Sequence, residues 1–185
     1  MARTPSVMLD LGTQAPYFSL PEPYNNNKII SLDDFKGKLL VVFFICNHCP
    51  YVIKIQEQIA KFGSNYQKKS VAVVAINSND VTNYPDDSPA KMIEKIKEVG
   101  YNFPYLFDES QEVAKAYRAA CTPDIYLFNK NHKLIYRGQF DDARPHNDVI
   151  STGVDLKEAT DALLSDKKVT TKQKPSLGCN IKFKQ

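Results

Sequence analysis

The chain has 185 residues, of which 43% are hydrophobic and 24% are charged, and its formal net charge is +3. This length and composition predict a single soluble domain with a sizeable core. So small a charge gives no electrostatic support for nucleic-acid binding, and no apolar run approaches the roughly 18 residues of a membrane span. We therefore expect neither a nucleic-acid partner nor a membrane.

The N-terminal part predicts a loose leader over residues 1–14, followed by a β-hairpin of residues 15–20 and 28–32 around a turn cluster. The first residues lack the apolar core of a signal peptide, so the sequence predicts a cytoplasmic protein. In that compartment four cysteines indicate redox chemistry more than a permanent disulfide framework.

A run of seven apolar residues, 39–45, leads directly into Cys46-Asn47-His48-Cys49-Pro50. Such a run is typical of a strand buried on both faces. A helical pattern follows at once, formed by Val52, Ile55, Ile59, Phe62 and Tyr66. Proline is tolerated in the first helical turn, which places Cys49 near the N-cap and Cys46 in the loop before it.

Two cysteines three residues apart at the start of a helix can close a small, reversible disulfide. The unpaired N–H groups and the helix dipole stabilise a thiolate there, and the pKa of such thiols is commonly about 3.5–7.5. Protonated His48 would add to this effect. The pair could instead be half of a zinc site, but a structural zinc site needs further Cys or His ligands at short spacing, and the sequence offers none. We therefore predict no metal and no cofactor.

The second half of the chain predicts alternating strands and helices. A strand (71–76) is followed by a long polar loop (77–87), which we expect to border the site because βα connections open on that side. The remaining predicted elements are a helix between Ser88 and Gly100, an extended piece (105–107), a short helix (108–117), antiparallel strands (125–128 and 134–137) and a helix from Asp155. The last twenty residues, rich in lysine, predict a solvated basic tail.

Segments 46–52, 121–124 and 175–182 carry a family resemblance that extends over about residues 11–183. The chain resembles the thioredoxin-fold superfamily, and more narrowly the peroxiredoxin-like proteins of the alkyl hydroperoxide reductase/redoxin group with a thioredoxin-type Cys-x-x-Cys. This implies an α/β fold: a central mixed β-sheet flanked by helices, with an N-terminal β-hairpin extension and a C-terminal tail. It also implies one thioredoxin-like domain over 1–185, with a core of about 11–165 and a tail of 166–185.

The resemblance also implies the second half of the site. Thioredoxin-fold proteins place a cis-proline opposite the dithiol, here Pro123, and the backbone of Thr122 would then be free to pair with an extended substrate. Cys121 is either a third thiol or a small buried hydrophobic residue. Cys179 is either a resolving thiol or a single packed cysteine.

The chain departs from peroxiredoxins at the residues that bind peroxide. Cys49 matches the peroxidatic cysteine, but Cys46 stands where those proteins have a threonine, and Pro123 falls about where they have an arginine. Arg118 or Arg144 would replace that arginine only if the fold brought either one close.

The chain departs from typical thioredoxins as well. Leu40 and Ala75 stand where those proteins have a buried acid and a lysine, so His48 or a loop residue would have to accept the proton of the second thiol. A histidine between the cysteines predicts a potential above the roughly −270 mV of thioredoxin.

These observations predict an enzyme, a thiol–disulfide oxidoreductase that uses Cys46 and Cys49 on protein or small-molecule disulfides and is recycled by an unidentified reductant. The thioredoxin likeness favours attack by Cys46, whereas the peroxiredoxin alignment favours Cys49. One alternative is an antioxidant thiol peroxidase that takes peroxides, with Cys49 oxidised to sulfenic acid and Cys46 resolving it. The other is a non-enzymatic redox sensor or metal-binding module using Cys46, His48 and Cys49.

Overall fold

The computed structural model describes residues 3–185. Its ten strands are β1 Arg3–Pro5, β2 Ser19–Glu22, β3 Lys28–Ser31, β4 Leu39–Phe44, β5 Val71–Asn77, β6 Tyr105–Phe107, β7 Cys121–Thr122, β8 Asp124–Phe128, β9 Leu134–Arg137 and β10 Leu177–Asn180. Its four α-helices are α1 Pro50–Gln67, α2 Pro89–Val99, α3 Glu112–Ala116 and α4 Val154–Leu164. Across this described part of the chain, no helix combines the length and the apolar character needed to cross a membrane.

A five-stranded mixed sheet in the order β6-β5-β4-β8-β9 forms the centre of the fold. Strands β4, β5 and β6 run parallel, whereas β8 pairs antiparallel with both β4 and β9. Every residue of β4 is buried, because this central strand has core on both faces. The predicted α/β fold with a central mixed sheet is therefore confirmed.

The two faces of β4 contact two separate hydrophobic clusters. Val41 and Phe43 face the cluster that includes the inner stripe of α1 together with Leu156 of α4. Leu40 and Val42 face the other cluster, which is closed by the β2–β3 hairpin and α3. Alternation along one strand thus holds α1, and with it the dithiol at its start, firmly against the sheet.

The N-terminal hairpin forms as predicted, but its strands are β2 and β3, so the first lies four residues later than expected. Helix α2 begins at Pro89 after Ser88 and ends before Gly100, which has a positive φ of 78°. This left-handed conformation is one that glycine adopts without strain, and it explains why the helix ends there.

Both chain ends differ from the prediction. β1, within the segment predicted to be a loose leader, pairs with β10 of the tail, and β10 pairs in turn with β7. Met1 and Ala2 of the predicted leader lie outside the described residues. The expectation of a fully solvated tail is wrong for residues 176–182, where Ser176, Gly178, Cys179, Ile181 and Lys182 are buried. Their burial comes from long-range strand pairing, which local composition does not encode.

Gly178→Ala is expected to destabilise the fold by about 1–3 kcal/mol, the usual cost of overpacking. A Cβ at this position would collide with the Thr122 carbonyl oxygen, so β10 could not approach β7 as closely. Denaturant unfolding of the reduced protein measures the change. Leu177→Ala, at the half-buried neighbouring position, is the matched control and should leave the spacing between the strands intact. Equal stability of Gly178→Ala and the wild type would contradict this close packing.

Candidate active site

The dithiol lies between the end of β4 and the start of α1. Cys49 is the N-cap of α1 and Pro50 is its first residue, as predicted, while Cys46 lies in the preceding loop. Both side chains are buried, with exposed fractions of 2% for Cys46 and 0% for Cys49. All four cysteines of the chain are free thiols.

Cys49 is the thiol that the surroundings ionise. A hydrogen bond from Cys46, together with hydrogen bonds from the Thr122 side chain and from the backbone of Cys179 and Val52, outweighs burial and lowers the pKa of Cys49 to about 5. One contact acts the other way, because the sulfur lies 3.1 Å from the Thr122 carbonyl oxygen and favours the protonated thiol there. The groups that favour the thiolate prevail over this acceptor, so the pKa of Cys49 stays low.

Cys46 holds its proton. Its hydrogen bond to Cys49, its burial and the negative charge of Asp87 together raise the pKa of Cys46 well above the usual value. Its sulfur also lies 3.4 Å from the hydroxyl oxygen of Thr122. The two thiols are therefore unequal, with a thiolate at Cys49 and a proton donor at Cys46.

Asp87, at the end of the polar loop before α2, fixes the dithiol loop. One carboxylate oxygen accepts hydrogen bonds from the backbone N–H groups of Asn47 and His48, at 2.8 and 3.3 Å. The other accepts one from the Asn79 side chain at 2.7 Å. Burial opposes ionisation of Asp87, but the contact with His48 and the hydrogen bond from Asn79 outweigh it and lower the pKa of Asp87. A buried carboxylate is thus held charged beside the thiols.

His48 lies beside Asp87 and forms an ion pair with it. Its Nδ1 lies 2.7 Å from a carboxylate oxygen of Asp87, and this contact raises the pKa of His48. The imidazole ring also stacks on Tyr84, with ring centroids 5.8 Å apart. Because Asp87 neutralises much of its positive charge, protonated His48 supports the Cys49 thiolate less than an unpaired histidine would.

The Thr122–Pro123 peptide bond is cis, and this segment faces the dithiol, as the resemblance implied. The accompanying expectation of a free backbone at Thr122 is wrong in this conformation, since Thr122 pairs with Cys179 of β10. The sequence could not reveal this, because the strand that occupies the edge is more than fifty residues away in the chain.

The two accessory cysteines differ. Cys121 is fully buried, donates a hydrogen bond to the Pro123 carbonyl oxygen at 3.4 Å, and has a raised pKa because of burial. Cys179 interacts through its side chain with Cys49, and burial followed by this contact raises its pKa to about 12. The structure therefore places Cys179, rather than Cys121, in the buried cluster that contains the reactive thiol.

Sequence reasoning expected the polar loop to border the site but did not single out Asp87. The only signal in the sequence was Leu40, which stands where thioredoxins have a buried acid. Its presence required another proton acceptor, either His48 or a loop residue. Neither Arg118 nor Arg144 takes the place of the peroxiredoxin arginine: within the described residues, neither guanidinium has a hydrogen bond or ion pair with a thiol.

One group of side chains near the dithiol could hold a metal ion. The ligand atoms of Cys46, His48 and Asp87 lie within 4.8 Å of one another. The metal-binding alternative raised from the sequence used Cys46, His48 and Cys49, whereas the group in the structure has Asp87 instead of Cys49. Three such ligands suit zinc only with a fourth, and the His48–Asp87 contact already engages two of them.

The ultraviolet absorbance of the reduced protein is expected to show a thiolate that forms with a midpoint near pH 5, the pKa of Cys49. Because this pKa is lower than in the unfolded chain, the thiolate stabilises the reduced fold above about pH 8.5, and this contribution is lost as the pH falls through about 5. Cys49→Ser should remove the step, and Cys121→Ala should keep it. A first midpoint at about pH 8.5, the value of a free cysteine, would show that the groups around Cys49 do not stabilise its thiolate.

A central mixed sheet, a Cys-x-x-Cys pair at a helix N-terminus and a cis-proline facing it define a protein with a thioredoxin-like fold. The chain belongs to the AhpC/TSA family, which matches residues 11–137. Both results confirm the resemblance seen in the sequence.

Three known proteins illustrate the likeness. An uncharacterized conserved protein from Geobacillus kaustophilus has a TM-score of 0.96 and 49% identity, covering 100% of this chain and 97% of the other. The thiol-disulfide oxidoreductase ResA of Bacillus subtilis is 28% identical over 67% of this chain and 64% of its own length. The thioredoxin domain of a thiol-disulfide oxidoreductase from Bacteroides vulgatus has a TM-score of 0.63 and 18% identity, covering 82% and 98% of the two chains, and shows the fold alone.

Proposed function

We propose that the protein is a thiol–disulfide oxidoreductase whose reactive group is the Cys49 thiolate. The observation that carries this is a Cys-x-x-Cys pair at the start of α1 whose two sulfurs both contact Thr122, and whose surroundings lower the pKa of Cys49 and raise that of Cys46. A thiolate attacks a disulfide sulfur, whereas a thiol does not, so Cys49 rather than Cys46 begins the reaction. The name of the ResA relative supports the same chemistry.

In the first step, the Cys49 thiolate attacks one sulfur of the substrate disulfide. A mixed disulfide forms, and the other substrate sulfur leaves as a thiolate that takes up a proton. In the second step, Cys46 transfers its proton toward the Asp87 carboxylate, which lies within 4.8 Å of its sulfur, and attacks Cys49. The Cys46–Cys49 disulfide forms, the remaining substrate thiol leaves, and two electrons have passed to the substrate.

Both thiols are buried, so any disulfide substrate must displace part of the cover over Cys49. A groove of about 280 Å³ lies next to the dithiol loop, and its lining consists of Asn47, His48, Asp86, Lys91, Glu94, Lys95 and Glu98, with neither cysteine among them. The substrates in this proposal are protein or small-molecule disulfides. The reductant that recycles the enzyme is a second thiol compound or protein. A cytoplasmic location stays a prediction.

A thiol peroxidase is the second candidate, because the low pKa of Cys49 also suits attack on a peroxide. Peroxide would oxidise Cys49 to a sulfenic acid and release water, and Cys46 would then close the disulfide with loss of a second water. Stabilisation of a bound peroxide by positive charge would be weak, because Asp87 neutralises much of the charge of His48. We therefore rank it below disulfide exchange.

The two functions are separated by turnover with dithiothreitol as the electron donor. We expect the wild type to accelerate reduction of insulin disulfides above the rate with dithiothreitol alone, and to leave the consumption of hydrogen peroxide near its background rate. The Cys46→Ser/Cys49→Ser variant is the control for both assays. Fast peroxide consumption without insulin reduction would establish the peroxidase and reject the oxidoreductase.

A further inference from the structure

The tail strand β10 lies directly over the dithiol. It is the middle strand of a three-stranded sheet in the order β1-β10-β7, in which Cys179 is opposite both Arg3 and Thr122. Gly178 approaches Thr122 so closely that a side chain at this position would collide with its carbonyl group. The backbone of β10 is therefore held against the segment that faces the thiols.

This placement brings a third sulfur to Cys49. Cys179 is opposite Thr122 in the sheet, and the Thr122 carbonyl oxygen lies 3.1 Å from the Cys49 sulfur, so the strand position of Cys179 is directly beside the reactive thiol. The three thiols share one buried cluster, with exposed fractions of 2% for Cys46, 0% for Cys49 and 3% for Cys179. Cys179 therefore provides a second thiol, besides Cys46, that can react with Cys49 within the same protein.

We propose that Cys179 is a third redox-active thiol, which exchanges with the Cys46–Cys49 disulfide to form a Cys49–Cys179 disulfide. The inference rests on the proposed function, because it takes that disulfide as its starting point. Cys179 loses its proton and attacks the Cys49 sulfur. The Cys49–Cys179 bond forms, the Cys46–Cys49 bond breaks, and Cys46 leaves and takes up a proton. One disulfide is exchanged for another, so no further oxidant or reductant is consumed.

The exchange keeps the numbers of thiols and disulfides unchanged and involves sulfurs of one buried cluster, so it requires no second molecule. The Cys49–Cys179 form leaves Cys46 reduced beside Asp87 and ties the tail to α1, which gives the oxidised enzyme two distinct forms.

The test uses oxidised glutathione and the Cys46→Ser variant, in which the first resolving thiol is absent. Glutathione bound to Cys49 should be expelled by Cys179, so peptide mapping without reduction should find Cys49 linked to Cys179 and no bound glutathione. Cys46→Ser/Cys121→Ala is the matched control and should behave in the same way. Cys46→Ser/Cys179→Ser should retain glutathione on Cys49.

Retention of glutathione on Cys49 in Cys46→Ser, with Cys179 still open to alkylation after unfolding, would overturn the third-thiol role. If the wild type still forms Cys46–Cys49 in that case, the proposed function stands without it. If neither protein binds glutathione or forms a disulfide, the proposed function itself fails, and the inference fails with it. Circular dichroism of each variant verifies that the fold is retained.

Discussion

Cys49→Ser is expected to lower disulfide-exchange turnover to the rate without enzyme. The substitution removes the only thiol whose pKa lies below neutrality, so no nucleophile remains for the first step. Turnover with insulin disulfides and dithiothreitol measures the loss.

Cys46→Ser/Cys179→Ser should behave differently, because the attacking thiolate is still present and both resolving thiols are absent. A single addition of substrate to Cys49 should occur and persist, while repeated turnover should not. Attack by Cys46 in the Cys49→Ser variant, detected as a mixed disulfide on Cys46 formed at the wild-type rate, would contradict the assignment of roles.

Asp87→Asn is expected to slow the second step by up to the roughly 10²–10⁴-fold that a positioned general base contributes. The amide cannot accept a proton from Cys46. Loss of the negative charge also lowers the pKa of Cys46, which offsets part of the effect. That offset is the smaller effect, because burial still keeps the pKa of Cys46 high. The decay of a glutathione adduct on Cys49 in the Cys179→Ser background measures this step alone.

The same variant should lose about 1–3 kcal/mol of stability, the cost of unpairing buried polar groups. The pKa of His48, followed by NMR, should fall, because contact with Asp87 is what raises it. Asp86→Asn changes the exposed neighbouring carboxylate and is the matched control. An unchanged His48 pKa, together with unchanged decay of the adduct, would show that Asp87 neither raises the pKa of His48 nor accepts the proton of Cys46.

The sequence predicted the centre of the molecule well, because local patterns there agree with the long-range structure. The apolar run of β4 identified the buried strand, and Pro50 after Cys49 located the start of α1. Ser88 and Gly100 bracketed α2 for similar reasons, since caps are encoded at the ends of the element itself.

The cover over the dithiol could not be predicted in this way. β10 is short and lies in a lysine-rich segment, and its burial depends on pairing with β1 and β7 from distant parts of the chain. Asp87 was missed for a related reason. A carboxylate in a polar loop looks solvated until the fold places the loop against the N–H groups of Asn47 and His48.

The dithiol mechanism is measured best on the Cys46–Cys49 pair alone, in a protein carrying Cys121→Ala and Cys179→Ser. One equivalent of a disulfide substrate should consume both remaining thiols, lower the protein mass by two hydrogen atoms and link Cys46 to Cys49 in the peptide map. A persistent substrate adduct on Cys49 with Cys46 still free, or no reaction at either thiol, would contradict a dithiol mechanism for this protein.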